Sequence, residues 1–156
     1  MAATHWLTNR GKLLVAQGAW DDDAAGLFVC ELLSNATGVT PVAIDTEAEI
    51  QDMATVSVLL AAANERCAVG GYTRQVLSRS NSAQDDANNR ANLDAADVVF
   101  TSLASGTHIY GGFIAEISTD TNDTTRQLVS VFNLASEIPT NGSNVTLTIA
   151  DLYRLT

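Results

Sequence analysis

Apolar and polar positions late in the chain alternate in ways that predict strands. In NVTLTIA (144–150), Val145, Leu147 and Ile149 alternate with two threonines, which is the period of a half-buried strand. RQLVSVFNL (126–134) is apolar at both parities and therefore predicts a central strand that is covered on both faces.

HIYGGFIAEI (108–117) predicts another strand, with paired glycines at its centre. Four apolar residues of one parity are expected to form its core face: Ile109, Phe113, Ala115 and Ile117. Gly111-Gly112, like Gly70-Gly71 earlier in the chain, fits a turn, a bulge or a close approach of two backbones rather than a phosphate-binding loop.

Shorter strands separated by turns are predicted in the middle of the chain. YTRQVLS (72–78) is one candidate, and RANLDAADVVFTSL (90–103) carries one or two strands with a bend at 94–97. SNSAQDDANN (80–89) is dense in turn-forming residues, and STDTNDTT (118–125) predicts a polar hairpin loop or a longer excursion.

The N-terminal half predicts short helices around one buried strand. A helix over roughly 8–17 is expected to be capped by Thr8 and to end at Gly18. AGLFVCELL (25–33) predicts a buried strand, and SNATGVTP (34–41) a loop.

The clearest helix-start signal lies further along. Thr46-Glu47-Ala48-Glu49 matches a capping box, and the next apolar positions recur at helical spacing. A second series of apolar residues at helical spacing starts near Thr55, with Val56 and Leu59 three residues apart. We therefore expect one broken helix or two short ones.

This order of elements predicts a mainly β fold, or α+β by element count, with one to three short helices in the N-terminal half. Serial short strands favour an antiparallel β-sandwich, with a jelly roll as one version, over a βαβ sheet. The 156 residues are expected to form a single domain, with residues 1–7 as an extended arm and His5 in a mobile terminus.

Charge narrows the classes of partner. The chain has 8 Lys and Arg residues against 18 Asp and Glu residues, for a formal net charge of −10, and its cations form no stripe. Phosphate backbones are repelled by such a surface, so direct nucleic-acid binding is not expected. No apolar run approaches the roughly 20 residues of a membrane span, and the N-terminal segment does not resemble a signal peptide, so we expect neither membrane insertion nor secretion.

Residues capable of catalysis or metal binding are few. Cys30 and Cys67 are expected to be small buried hydrophobes, with a single disulfide as the alternative. His108, at the start of a strand, fits a packed or half-exposed strand residue. Three clusters of carboxylates could supply oxygen ligands to calcium, but each is expected to face water: Asp21-Asp22-Asp23, Asp85-Asp86, and Asp120 with Asp123. No catalytic residue, cofactor or metal is therefore predicted, and the chain is not expected to be an enzyme.

The middle half of the chain carries a sequence block that resembles a family. GGYTRQVL (70–77), DDANNRANLDAADVVFTSLASGT (85–107) and IYGGFIAEIST (109–119) are similar to small structural proteins of tailed bacteriophages and prophages. In that family, Gly-Tyr-x-Arg-Gln-x-Leu precedes an Asp-Asp-Ala-Asn-Asn-Arg turn, an alternating strand and a Leu-x-x-Gly-Thr turn. TVSVLLAAANE (55–65) resembles the helix before the block. The tryptophans near the N-terminus and the loop STDTNDTT depart from the pattern, so subunit contacts do not carry over from it.

The resemblance implies a capsid cement or decoration protein built on a small β-sandwich. Such a protein would be made in the bacterial cytoplasm and would bind the outer surface of the major capsid protein lattice of the virion. Closed symmetry makes a homotrimer at a local threefold axis the expected oligomer. Trp and Tyr with Arg are common interface anchors, which makes four residues candidates for subunit contacts: Trp6, Trp20, Tyr72 and Arg74. Core packing is the default expectation for the two tryptophans, and a structural role is favoured for Tyr72 and Arg74.

Two alternatives stay open. One is a tail, neck or baseplate component, or a module that binds the host surface. The other is a small hydrolase or sugar-binding sandwich, which would need a pocket with converging polar groups. The sequence offers no acid and base pair for such a pocket beyond carboxylates predicted in turns.

Overall fold

A computed structural model describes residues 3–17, 28–36, 50–61, 66–78, 83–88, 90–93, 95–116, 122–148 and 153–155. Its helices are α1 (Asn9–Ala16), α2 (Val56–Ala61) and a 3₁₀ turn at Asp86–Asn88. The strands are β1 (Ala3–Leu7), β2 (Phe28–Ala36), β3 (Gln75–Val76), β4 (Ala83–Asp85), β5 (Arg90–Leu93), β6 (Val98–Phe100), β7 (Thr107–Glu116), β8 (Leu128–Pro139), β9 (Val145–Leu147) and β10 (Tyr153–Leu155).

The main sheet has five antiparallel strands in the order β1-β8-β7-β2-β3. This confirms the predicted mainly β, antiparallel fold with short helices in the N-terminal half. β8 lies between β1 and β7, and its first five residues are buried, which confirms the central covered strand. β9 keeps the predicted alternation, because Val145 is buried while Thr146 is exposed.

Two smaller groups of strands accompany the main sheet. One has the order β10-β5-β4, and the other is the pair β6 and β9. Val98 and Phe100 of β6 and Val145 of β9 join the apolar cluster on one face of the main sheet. The two-stranded layer therefore covers part of that face, while the finer prediction of a sandwich stays a prediction.

Both faces of the main sheet are buried, because alternate residues of β2 enter two separate apolar clusters. Cys30 and Leu32 pack in the cluster that includes Leu14 of α1, β6 and β9. Val29 and Leu33 pack in the other, together with two buried residues of α2, Val56 and Leu59, and with Ile50. The segment 50–61 thus supplies apolar residues to one face of the main sheet. The strands β6 and β9, together with α1, supply apolar residues to the opposite face.

A bulge in β7 corrects the predicted core face of that strand. Ile109 lies in the cluster shared with β6, whereas Phe113 and Ala115 lie in the cluster shared with α2. The pairing with β2 steps from Gly111 to Ile109 while β2 advances by one residue, so Tyr110 is the extra residue. Because side-chain direction has a period of two, one inserted residue exchanges the faces. Ile117 lies outside the described residues.

Two of the three alternatives predicted for Gly111-Gly112 are found together, because the pair adjoins the bulge and lies close to neighbouring backbones. A Cβ atom at Gly112 would collide with the carbonyl oxygen of Glu31 and the ring of Phe132. A Cβ atom at Gly111 would collide with the carbonyl oxygen of Phe132. Any side chain at these two positions would therefore separate β7 from its neighbours.

The N-terminal segment is an edge strand and not a projecting arm. Ala3–Leu7 pairs antiparallel with β8 from Leu134 to Ser130, so His5 lies in the sheet rather than in a mobile terminus. Thr8 then caps α1 as predicted, since its hydroxyl oxygen accepts the Gly11 N–H at 2.9 Å. Gly18 and the capping box Thr46–Glu49 lie outside the described residues.

Two predicted boundaries were wrong because strand pairing outweighed local turn preference, and a third strand is shorter than predicted. Ser34, Asn35 and Ala36 extend β2, since each pairs with β7 beyond the bulge. Ala83–Asp85 is a strand rather than a turn, because it pairs with β5. In YTRQVLS (72–78) only Gln75–Val76 forms a strand. β5 ends at Leu93 and β6 begins at Val98, on either side of the bend predicted at 94–97, whose first residue, Asp94, lies outside the described residues.

Candidate functional site

An open pocket of about 320 Å3 lies at the side of β2, between the segment 66–74 and the turn that precedes β8. Seven polar or aromatic residues line it: Glu31, Arg66, Tyr72, Thr73, Arg74, Asp123 and Arg126. It gathers three of the chain's eight cations into one place in an acidic protein. The pocket is therefore the candidate functional site.

A buried ion pair forms the floor of the pocket. Glu31 lies on β2 between Val29 and Leu33, on the face that α2 covers. Arg126 Nη2 donates a hydrogen bond to Glu31 Oε1 at 2.7 Å, and both side chains are only 2% exposed. Removing two charges from water is costly, so each depends on the other for compensation.

Arg66 reaches the same carboxylate from a neighbouring segment. Cys67 N–H donates to the Leu32 carbonyl at 2.8 Å, and Arg66 forms an isolated bridge with Leu33, which holds this segment beside β2. Arg66 Nε forms an ion pair with Glu31 Oε2, although the N–H is not aligned with it as a hydrogen bond. Arg66 Nη2 donates to both oxygens of Asp123, at 2.9 and 3.0 Å.

The turn before β8 closes the cluster into a ring of alternating charges. Arg126 N–H donates to the Asn122 carbonyl at 2.9 Å, and Thr124 N–H donates to Asn122 Oδ1 at 3.1 Å. This turn aims Asp123 back at its neighbour, so that Arg126 Nη1 donates to Asp123 Oδ1 at 3.1 Å. Two carboxylates and two guanidinium groups therefore neutralise each other.

Asp123 and Arg66 form the outer, partly exposed pair of this ring, and the ring shifts the pKa of both groups. Partial burial alone would raise the pKa of Asp123, but hydrogen bonds and charges from Arg66 and Arg126 outweigh it and lower the pKa. Burial alone would likewise lower the pKa of Arg66, but Asp123 and Glu31 raise it. Both groups are therefore charged at neutral pH.

Tyr72 forms the wall of the pocket nearest to β3. Its hydroxyl oxygen accepts the Leu32 N–H at 3.0 Å, and its ring stacks on Phe100 with centroids 5.8 Å apart. Burial is the main reason that the pKa of Tyr72 is raised. The positive φ of Gly71, at 85°, turns the chain into this wall where it passes the Ser102 carbonyl.

The rim beside Tyr72 is exposed. Thr73 and Arg74 are both exposed, and Gln75 Nε2 folds back to donate to the Thr73 carbonyl at 2.9 Å. Within the described part of the chain, Arg74 makes no ion pair or hydrogen bond. Arg66 and Arg126 are paired with carboxylates, whereas no carboxylate among the described residues neutralises the guanidinium group of Arg74.

The predicted interface residues occupy different parts of the molecule. Tyr72 and Arg74 meet at the pocket, the former anchored and the latter exposed. Trp6 is half-buried on β1 and packs against the cluster on the α2 face, in line with the core packing expected for it. Trp20 lies outside the described residues. A role for any of them in subunit contacts stays a prediction.

The cysteines and His108 match their expected structural roles. Cys30 and Cys67 are both buried and free, and burial with the nearby Glu31 raises the pKa of Cys30 to about 12. Such a thiol is protonated and unreactive at neutral pH. His108 Nδ1 lies 2.9 Å from Glu137 Oε2 in a partly exposed pair between β7 and β8.

The calcium candidates have mixed outcomes. Asp123 does not simply face water as predicted, because its oxygens are occupied by Arg66 and Arg126. Asp21–Asp23 and Asp120 lie outside the described residues. Within the described ranges, no group of three or more His, Cys, Asp or Glu residues is arranged to hold a metal ion. In the same ranges, no helix has the length and apolar character needed to cross a bilayer.

The sequence prediction missed the charge cluster, although one signal for it was present. Glu31 interrupts the apolar run FVCELL (28–33), which was itself predicted to be a buried strand. A carboxylate in such a strand needs a cationic partner, because charged residues are almost never fully buried alone. The partners could not be identified, since Arg126 is 95 positions away.

Comparisons of this chain with protein-family models, with curated proteins and with solved structures find no match.

Proposed function

We propose that this chain is a structural protein of a bacteriophage virion, a cement or decoration protein that binds the outer surface of the major capsid protein lattice and stabilises the head. Its role is to hold neighbouring subunits rather than to catalyse a reaction. It acts as a symmetric oligomer, a homotrimer, with the major capsid protein as its partner.

The observation that carries this proposal is where the family-like block lies in the fold. Residues of that block make contacts beside β2, within the β6 and β9 layer, and between the two. Tyr72 stacks on Phe100, and Leu77 N–H donates to the Phe28 carbonyl at 3.0 Å. Leu103 N–H donates to the Ser143 carbonyl at 3.2 Å. Tyr72, Leu77 and Leu103, three positions that carry the resemblance to the phage proteins, thus take part in packing and hydrogen bonding of the body.

A stiff body suits a protein that clamps neighbours on a shell. Each contact in such an assembly can be of standard size, about 1,600 Å2 in total, because several contacts formed together gain avidity. Rigid subunits lose less conformational entropy on docking than flexible ones do. The packing of both faces of the main sheet supports this interpretation.

The charge distribution supports an outer location. The formal net charge is −10, and three of the eight cations line one pocket, so the remaining surface is predominantly acidic. An acidic surface is repelled by packaged DNA but is compatible with the outside of the shell.

Co-sedimentation with assembled shells tests the proposal. The purified chain is mixed with shells that lack it and, separately, with the unassembled major capsid protein of the same phage. We expect saturable binding to shells and much weaker binding to free subunits, because the site combines neighbouring capsid proteins. Absence of shell binding would reject the capsid role, and immunogold labelling confined to the tail would favour the alternative, a tail, neck or baseplate component.

A further inference from the structure

Hydrogen-bond donors exceed acceptors at the pocket. Both carboxylates are engaged, Glu31 by Arg126 and Arg66, and Asp123 by the same two arginines. In the part of the chain that the structure describes, Arg66 Nη1 and the whole guanidinium group of Arg74 have no acceptor. The Tyr72 hydroxyl accepts from Leu32 N–H, which leaves its own proton available to donate.

We propose that this pocket is a binding site for a single carboxylate group, held by the guanidinium group of Arg74 at the rim, with Arg66 and the Tyr72 hydroxyl as further donors. A guanidinium group offers a planar fork of N–H groups that matches the two oxygens of a carboxylate. This inference does not depend on the virion role.

The charge of the pocket selects a carboxylate over a phosphate. Its three arginines and two carboxylates leave one positive charge in excess. One monovalent anion neutralises that charge, whereas a phosphate brings up to about two negative charges close to Asp123. Like-charge repulsion from Asp123, which is itself ionised, therefore disfavours the phosphate.

The carboxylate can come from a small organic acid or from an acidic side chain of a protein. The volume of about 320 Å3 admits either, since small-ligand pockets begin near roughly 300 Å3. Val76, on β3 at the edge of the main sheet and two residues from Arg74, is 56% exposed and offers an apolar neighbour to a protein segment. Both sources offer the same carboxylate to the arginines, and only a protein segment adds an apolar contact with Val76.

Amide NMR titration at constant ionic strength tests the site. The probes are acetate, a blocked Val-Asp-Val tripeptide, the matching Val-Asn-Val tripeptide and inorganic phosphate. We expect acetate or the Asp peptide to shift the Thr73 and Arg74 resonances in a saturable way, and the Asn peptide and phosphate to bind at least about tenfold more weakly. A tighter fit of the Asp peptide than of acetate identifies a protein side chain as the source, and equal affinities identify a free acid.

Matched variants make the titration specific. Arg74→Ala is expected to weaken carboxylate binding about tenfold or more, because it removes the charged donors. Lys12→Ala removes the same charge from an exposed position on α1 and should leave the binding unchanged. The proposal is overturned if neither carboxylate probe binds, if phosphate binds as well as acetate, or if Arg74→Ala binds like the parent protein. None of these results depends on whether the chain binds shells.

Discussion

Two ion pairs of similar length share one cluster but differ in their exposure to water. Glu31 and Arg126 meet at 2.7 Å with both side chains 2% exposed, whereas Asp123 and Arg66 meet at 2.9 Å with about 30% exposed. Distance alone would rank them as nearly equal. Burial separates them, because the side chains of Glu31 and Arg126 are almost fully removed from water and depend on each other, Arg66 and Asp123 for compensation, while the charges of Asp123 and Arg66 keep part of their hydration.

The difference divides the cluster into a structural part and a recognition part. The inner pair ties β2 to the turn before β8, 95 residues away in the sequence. The outer rim ends in Arg74, which is exposed and carries the excess charge of the pocket. We therefore expect the effect of substitutions on stability to fall steeply from Glu31 outward to Arg74.

Glu31→Gln should have the largest effect. The substitution removes the inner carboxylate and leaves the buried Arg126 with Asp123 as its one described anionic partner. We expect the free energy of unfolding to fall by about 3 kcal/mol or more, because an incompletely compensated buried charge is costly. Urea denaturation at neutral pH measures the change.

Glu137→Gln is the matched control, since it removes the same charge from the partly exposed pair with His108. Solvent screens that pair, so the control should lose little stability. Equal losses in the two variants would show that burial does not distinguish the pairs.

A double-mutant cycle should give the next largest effect. Glu31→Met leaves the buried Arg126 without this partner, and Arg126→Met does the same to Glu31. The double variant removes both charges and fills the space with apolar side chains. We expect a coupling energy on the order of 1–3 kcal/mol, with the double variant more stable than the sum of the singles implies. Additive losses would contradict a direct pairing of these two side chains.

Asp123→Asn should have a smaller effect that depends on pH. Because the outer pair is partly hydrated, we expect a loss of about 1 kcal/mol or less at neutral pH. The pKa of Asp123 is lowered in the folded state, so the carboxylate stabilises the fold fully above the ordinary Asp pKa. This contribution disappears as the pH falls through the lowered pKa.

Urea midpoints measured from pH 7 down to pH 2.5 follow this dependence directly. The difference in urea midpoint between the parent protein and Asp123→Asn should be largest at neutral pH and should disappear in acid. Asp97→Asn, at an exposed position outside the pocket, controls for the change in net charge. A gap that stays constant with pH would contradict the ionic role of Asp123.

Arg74→Ala should change stability least. An exposed side chain without a described partner contributes little to folding, so the free energy of unfolding should stay within about 0.5 kcal/mol. Thermal and urea denaturation check this directly. A loss similar to that of Glu31→Gln would place Arg74 in the structural part of the cluster instead.

Local patterns predicted the elements whose signals lie within a few residues. Thr8 was identified as a cap, and its contact to Gly11 spans three positions. Val145 and Thr146 alternate as strand neighbours do, because the period of two needs no distant partner. A bulge was one of three alternatives predicted for Gly111-Gly112, but its position at Tyr110 was not predictable, because the register is set by β2 and β8.

The candidate site was harder to predict, because its contacts are long-range. Arg66 and Asp123 are 57 positions apart, and no local spacing links them. The polar sequence neighbours of Asp123 predict a solvated turn carboxylate, whereas its partners Arg66 and Arg126 are set by the fold. Tyr72 and Arg74 were identified from the family-like block, but which of them is anchored depends on Phe100 and Leu32 across the fold.

A count of copies per purified phage particle tests the virion role most directly. Quantitative mass spectrometry or gel densitometry against the major capsid protein gives this number, and a cryo-EM map of the particle locates the chain. A decoration protein repeated over the shell lattice should be present at on the order of hundreds of copies, bound outside the head. Tens of copies or fewer, or absence from the purified particle, would contradict the role in the capsid.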